Sequence, residues 1–210
     1  MADAQLVKRA NEVIERLFAL NEAMESADAF CAYLKELTAH SVLVTEHVLV
    51  DPDVAARHVA ATRWVHAGIV RAAIGTIMAC LDPEDSRRNR ASVGQIIETL
   101  KDQTLVNYFA RAGQGSMAAL QQARERYEAL QKDDLFDRAK WLRNDVVAHI
   151  LIRRTPTPKV NYEDVYDLRD AAEQIVTDLI AACGRQKPKR ARVTEQAKFF
   201  WDTYFLGMAR

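Results

Sequence analysis

The chain is poor in the residues that break regular structure, with seven glycines and five prolines among 210 residues. β-Hairpins need such residues at short intervals. No run of four to eight residues alternates apolar and polar side chains between turn signals, so the sequence supplies neither strands nor corners for a sheet. Cysteine is scarce too. Cys31, Cys80 and Cys183 lie far apart, are odd in number and form no CxxC pair. That argues against a disulfide framework or a thiolate zinc site and suits a reducing compartment. Neither sign of charge is in excess, with 29 basic and 29 acidic residues. A neutral balance argues against coating nucleic acid through net charge but leaves room for a small local phosphate site. The most apolar stretch, AGIVRAAIGTIMACL (67–81), is too short to span a membrane and is interrupted by Arg71. It reads as a buried helix. The N-terminal MADAQLVKRANEVIERL is charged and amphipathic without the apolar centre of a signal peptide, so a cytoplasmic protein with no membrane partner is expected.

What the sequence does contain is helical periodicity almost throughout. Apolar residues at 49% and charged residues at 28% are ordinary for a globular chain large enough to enclose a core. Helix starts are marked by Ser26, by Asp51 with Pro52, by Ser92 with Gln95, by Asn161 and by Thr194. Stops fall at Asp82-Pro83, at Gly113 to Gly115, at Thr155 to Pro158, and at Gly184 with Pro188. The spacing predicts seven helices over roughly 3–24, 27–49, 52–81, 92–111, 116–152, 162–183 and 194–208, an all-α bundle without internal repeats. Residues 1–50 read as a helical extension packed on the core, 51–183 as the main helical domain, and 184–210 as a basic connector followed by an aromatic helix. Phe199, Phe200, Trp201, Tyr204 and Phe205 on that last helix must be covered, either by the parent domain or by a dimer partner.

The stretch RAKWLRNDVVAHIL (138–151) carries an arginine and a histidine beside an apolar arc. With Leu142 at zero on a helical wheel, the apolar residues Leu135, Ala139, Val146 and Ile150 fall at about 20–80°. His149 lands at about −20° and Arg143 at about 100°, while Asn144 points about 100° beyond Arg143. Six residues separate the arginine from the histidine by about 9 Å along the axis, so they form no i, i+4 pair. They meet on one phosphate only if the side chains lean together or a second copy of the helix faces the first. A purely structural account also fits: Arg143 paired with a carboxylate of a neighbouring helix, His149 bonded to a carbonyl.

Other constellations are weaker. His40 and His47, like His58 and His66, stand two turns apart on their helices, too far to chelate one metal ion. No HExxH, GxSxG or Gly-rich phosphate loop occurs, and neither a metal nor another cofactor is expected. Arg153 and Arg154 follow the suspected site by one turn, and Arg87 and Arg88 sit in the loop after Pro83. Each could touch RNA phosphates or remain solvated charge.

The wording WLRNDVVAHI resembles the signature of the HEPN superfamily, an arginine, a polar residue and a histidine near the end of a long helix in an all-α bundle. The Ala-His ending, the proline-broken exit, the helix carrying Val165 and Leu168, and VRAAIGTIMACLDPEDSRRNRASVGQII (70–97) are similar to the AbiU-type branch of abortive-infection, phage-defence proteins. This wording runs over about 55–182. The resemblance implies a HEPN-like core and a metal-independent endoribonuclease, a toxin or defence effector whose homodimer shares one cleft. It implies that His149 moves the proton of the ribose 2′-hydroxyl or of the leaving oxygen. Arg143 would hold the scissile phosphate, and Asn144 would orient one of the two. A neutral imidazole and a guanidinium fork suit those tasks. An antitoxin or other regulatory partner is also implied. The alternatives are a HEPN-like module that binds RNA or nucleotide without cutting it, and a structural dimerisation protein.

Overall fold

A computed structural model of the protein describes residues 2–47, 52–81, 91–111, 115–144, 160–188 and 193–208. Among them are eight helices and no strand: α1 (Ala2–His47), α2 (Pro52–Leu81), α3 (Val93–Thr99), α4 (Gln103–Arg111), α5 (Met117–Gln131), α6 (Asp134–Leu142), α7 (Tyr162–Ala182) and α8 (Val193–Met208). The all-α expectation holds, and three of the expected boundaries differ.

The first two predicted helices are one. α1 runs unbroken for 46 residues, about 69 Å at 1.5 Å per residue. Ser26 starts nothing; its hydroxyl bonds back to the Glu22 carbonyl at 3.3 Å, as a serine inside a helix can. Continuity is enforced by packing, because Leu17, Leu20, Met24, Ala27, Cys31, Leu34 and Leu37 repeat at three- and four-residue steps and are all buried.

Two predicted helices are each split. After α3, Leu100 closes the last turn and Asp102 starts α4, its carboxylate accepting the Thr104 amide at 2.8 Å and the Arg9 guanidinium at 2.7 Å. Lys132 closes α5 and Asp133 begins α6 in the same way, accepting the Leu135 amide at 2.8 Å. Neither break carries glycine or proline; an aspartate taking up an orphan N–H is sufficient.

Three of the other sequence signals act as read, whereas Thr194 lies inside α8, and the stops at Asp82-Pro83, at Gly113 and at Thr155 to Pro158 lie outside the described residues. Ser92 caps α3. Asn161 and Asp164 exchange reciprocal 2.8 Å bonds in a capping box on α7. Gly184 ends α7 at φ 68°, with its own amide bonded to Ala181 and the next amide to Ile180. The Asp51 cap lies outside the described residues.

The core is shared by α1, α2, α3, α4, α5, α6 and α7. α5 also seals two helix ends: Tyr127 donates its hydroxyl to the Leu81 carbonyl and Arg124 donates to the Leu100 carbonyl, both at 2.8 Å. By length and mean hydropathy, Val59–Leu81 of α2 is apolar enough to cross a membrane. Its last third, however, including Ala73, Ile74, Ile77, Met78 and Leu81, is buried in this core. α8 packs back on α1. Ala197 and Trp201 are buried, the Trp201 indole N–H donates to the Tyr33 carbonyl at 3.0 Å, and Asp202 accepts from His40 at 2.8 Å. Phe199 and Phe200 of α8 stay exposed.

Candidate functional site at the end of helix α6

α6 is short, and its inward face consists of Phe136 and Ala139, both buried. Arg143 follows Phe136 by seven residues and Ala139 by four, so it continues that face toward the bundle interior at the open end of the helix. It is only partly buried there. The backbone widens into a π turn at 143–144, and the Arg143 amide is shared between the Ala139 and Lys140 carbonyls. Such widened turns recur where a helix must aim a functional side chain.

The guanidinium does not reach into solvent unguided. Its Nε and Nη2 both donate to Asn144 Oδ1, at 3.0 and 2.8 Å. Asn144 is exposed, so its amide oxygen fixes the azimuth of the fork without burying it. Arg138, about one and a half turns earlier, ties α6 to α7: Nη2 bonds Asp164 of α7 at 3.0 Å, while Nη1 bonds Asp134 within α6 at 2.6 Å.

These pairings set the register of the bundle. Along α5 and α6, Arg126 meets Gln174 and Asp178 while Arg138 meets Asp164. Partners thus descend on α7 as they ascend on α5 and α6, and the helices are antiparallel. Arg143 lies about 7.5 Å beyond Arg138, which in this register is about 4.5 Å past the α7 N-terminus. Along α1, Asp28 meets Arg169, and Thr38 meets His66 of α2. The same end of the bundle therefore gathers the exit of α6, the start of α7 and the middle of α2.

His66 is a residue that sequence reasoning set aside. Its Nε2 stands 3.3 Å from Thr38 Oγ1, and its ring tilts by 33° against that of Tyr162, centroids 5.4 Å apart. The Thr38 hydroxyl spends its hydrogen on the Leu34 carbonyl at 2.8 Å. The contact is satisfied only if His66 Nε2 is the donor, which leaves Nδ1 as the basic nitrogen. Burial lowers the pKa of His66, so the ring stays neutral near pH 7. No spacing rule could find this residue, because its partners come from α1 and α7.

Among the predicted site residues, the structure thus brings Arg143 and Asn144 together. His149, Arg153, Arg154, Arg87 and Arg88 lie outside the described residues. Among the described residues, no group of three or more His, Cys, Asp or Glu side chains is arranged to hold a metal ion. The three cysteines are buried and free, with burial raising the thiol pKa of Cys31 to about 11 and of Cys80 and Cys183 to about 12. Protonated thiols of that kind are poor nucleophiles.

The all-α bundle, with an arginine and an asparagine paired at the end of a short helix, agrees with what the resemblance to HEPN-type modules implies. A family model described as AbiU2, HEPN_AbiU2, matches residues 12–201, and the chain belongs to this family of abortive-infection HEPN-type modules. The match begins inside α1 and ends within α8, a wider span than the wording of 55–182 that carried the resemblance. No curated protein matches the chain. No solved structure matches it either.

Proposed function

We propose that this protein is a metal-independent endoribonuclease that acts in the cytoplasm as a toxin or phage-defence effector. Two protomers form a homodimer, and each contributes Arg143 and His149 to a shared cleft. The observation that carries this reading is the double hydrogen bond from the Arg143 guanidinium to Asn144 Oδ1. A guanidinium anchored through Nε and one Nη, on the inward side of a helix end, is held in a fixed plane, and such a planar fork suits phosphate oxygens.

In this mechanism Arg143 binds the scissile phosphate and stabilises the charge that grows on its oxygens, an effect worth several kcal/mol in a partly dry cleft. His149 takes the proton of the ribose 2′-hydroxyl, which attacks the adjacent phosphorus; the 5′-oxygen of the next nucleotide leaves and receives a proton. Asn144 holds the Arg143 fork in register. The internal nucleophile restricts the substrate to RNA. Arg153, Arg154, Arg87 and Arg88 would add contacts to flanking phosphates, and an antitoxin or other regulatory protein would restrain the activity.

The test is cleavage of single-stranded RNA by the wild type and by Arg143→Ala, Arg143→Lys, Asn144→Ala and His149→Ala, in EDTA, with size-exclusion light scattering on each. Arg143→Ala and His149→Ala are expected to lose activity by at least about 100-fold while remaining folded dimers. Arg143→Lys should also fail, because an ammonium cannot reproduce the fork. Asn144→Ala should lose about 10-fold, through misplacement alone. RNA binding without cleavage by the wild type would instead identify a non-catalytic binding module. Unfolding of both alanine variants would favour a structural role.

A further inference from the structure

We infer that Tyr162 and His66 form a seat for one nucleobase of a single-stranded RNA, beside the phosphate that Arg143 grips. The inference rests on the ribonuclease reading above and adds what holds the nucleotide there. Three observations converge on it.

The first is position. The antiparallel register of α5 and α6 on α7 puts Arg143 at the same end of the bundle as Tyr162, the first residue of α7, and about 4.5 Å beyond it along the axis. The second is exposure. Tyr162 is 37% exposed although its ring lies against that of His66, tilted by 33°, so part of this aromatic pair meets solvent. A ring meant only to fill the core would be covered, as Tyr127 is.

The third is hydrogen-bonding capacity. His66 Nε2 is committed to Thr38, which leaves the Nδ1 lone pair unused among the described residues. The Tyr162 hydroxyl likewise has no hydrogen-bond partner among them. An aromatic face flanked by one acceptor and one hydroxyl matches a nucleobase, which offers a π face and N–H or carbonyl edges. Thr38 of α1, itself bonded to the Leu34 carbonyl, holds the His66 ring, so that half of the seat is ordered before a base arrives. An amino-acid side chain would gain the stacking but has less edge to engage. Because every base has a π face, the seat tolerates several bases and sets reach more than sequence.

The probe is a 2′-O-methyl oligoribonucleotide, which the proposed reaction cannot cut, carrying a single 2-aminopurine whose fluorescence falls on stacking. Placed in turn at each position, the probe should be quenched at one position by the wild type. Tyr162→Ala should abolish that quench and weaken binding about 5- to 150-fold, the range measured for removal of one base-stacking aromatic. Tyr162→Phe should retain the quench, which separates stacking from a folding defect, and His66→Gln should weaken it. Phe199→Ala, an exposed aromatic on α8, should change nothing.

No quench by the wild type, or an undiminished quench in Tyr162→Ala, overturns the inference. RNA cleavage that persists in Arg143→Ala overturns the ribonuclease mechanism instead, whatever the probe reports. The two failures are therefore distinguishable.

Discussion

Arg143 shows how local and tertiary order combine at one residue. It extends the inward face of Phe136 and Ala139 past the last residue of α6, and its guanidinium is oriented by two bonds to Asn144 Oδ1. His66 at the same end gives a prediction with a definite sign. Burial holds its pKa below that of the unfolded chain, which is about 6.5. Above that value both states are neutral and the group costs nothing. As pH falls from about 6.5 through the lower folded value, the unfolded chain takes the proton first and stability is lost. The melting temperature should therefore drop between pH 7.5 and pH 5, and His66→Gln should drop less; equal slopes would contradict the assignment. The cysteines give a second test at this scale. Cys31, Cys80 and Cys183, buried with raised pKa values, should not react with a water-soluble disulfide reagent at pH 8 until the chain is denatured, when three thiols appear.

Among the elements, α7 depends most on its two ends. Asn161→Ala removes one half of the capping box and should cost about 1 kcal/mol. Gly184 sits at φ 68°, where an added Cβ crowds the following carbonyl, so Gly184→Ala should cost about 1–2 kcal/mol. Gly115→Ala should be worse still. Its Cβ would stand 2.8 Å from the Ala182 carbonyl oxygen and 2.9 Å from the Phe109 carbonyl carbon, both backbone atoms that cannot turn aside. Urea midpoints at constant m-value rank the three. Asn161 and Gly184 were legible in the sequence because caps and left-handed stops are written in single residue types. The need for glycine at 115 was not, because α4 and the end of α7 create it.

At the scale of the whole molecule, α1 runs alongside most of the bundle, meeting α2, α3, α4, α7 and α8. Leu17→Ala should therefore cost about 2–5 kcal/mol, the range for a large buried aliphatic side chain. α8 is held by a narrower set of contacts: Trp201 on Tyr33, Asp202 on His40, and the buried Ala197. Trp201→Ala should cost about 3–5 kcal/mol and leave α8 open to limited proteolysis while α1 to α7 stay protected. Equal cleavage throughout would mean that α8 and the bundle unfold as one unit. Phe199 lies outside this packing, so its replacement should leave the unfolding free energy within about 0.5 kcal/mol, whereas Phe200 sets its ring edge-on to Tyr33 and Trp201 and its loss should cost about 0.5–1.5 kcal/mol.

Helicity, most helix starts and the stop at Gly184 follow from the sequence, because each depends on residues within one or two turns; that Asn144 orients Arg143 is seen only in the structure. The family, too, is written in short wording around 138–151 and 70–97. Tertiary structure alone decided the rest. Nothing local distinguishes Ser26, inside a continuous helix, from a serine that begins one; the buried stripe from Leu17 to Leu37 makes that choice. Nor does any spacing within α2 mark His66. Its tautomer is set by Thr38 across the helical hairpin, its ring partner is Tyr162 from α7, and its charge is suppressed by burial that exists only once α1, α2 and α7 are packed together.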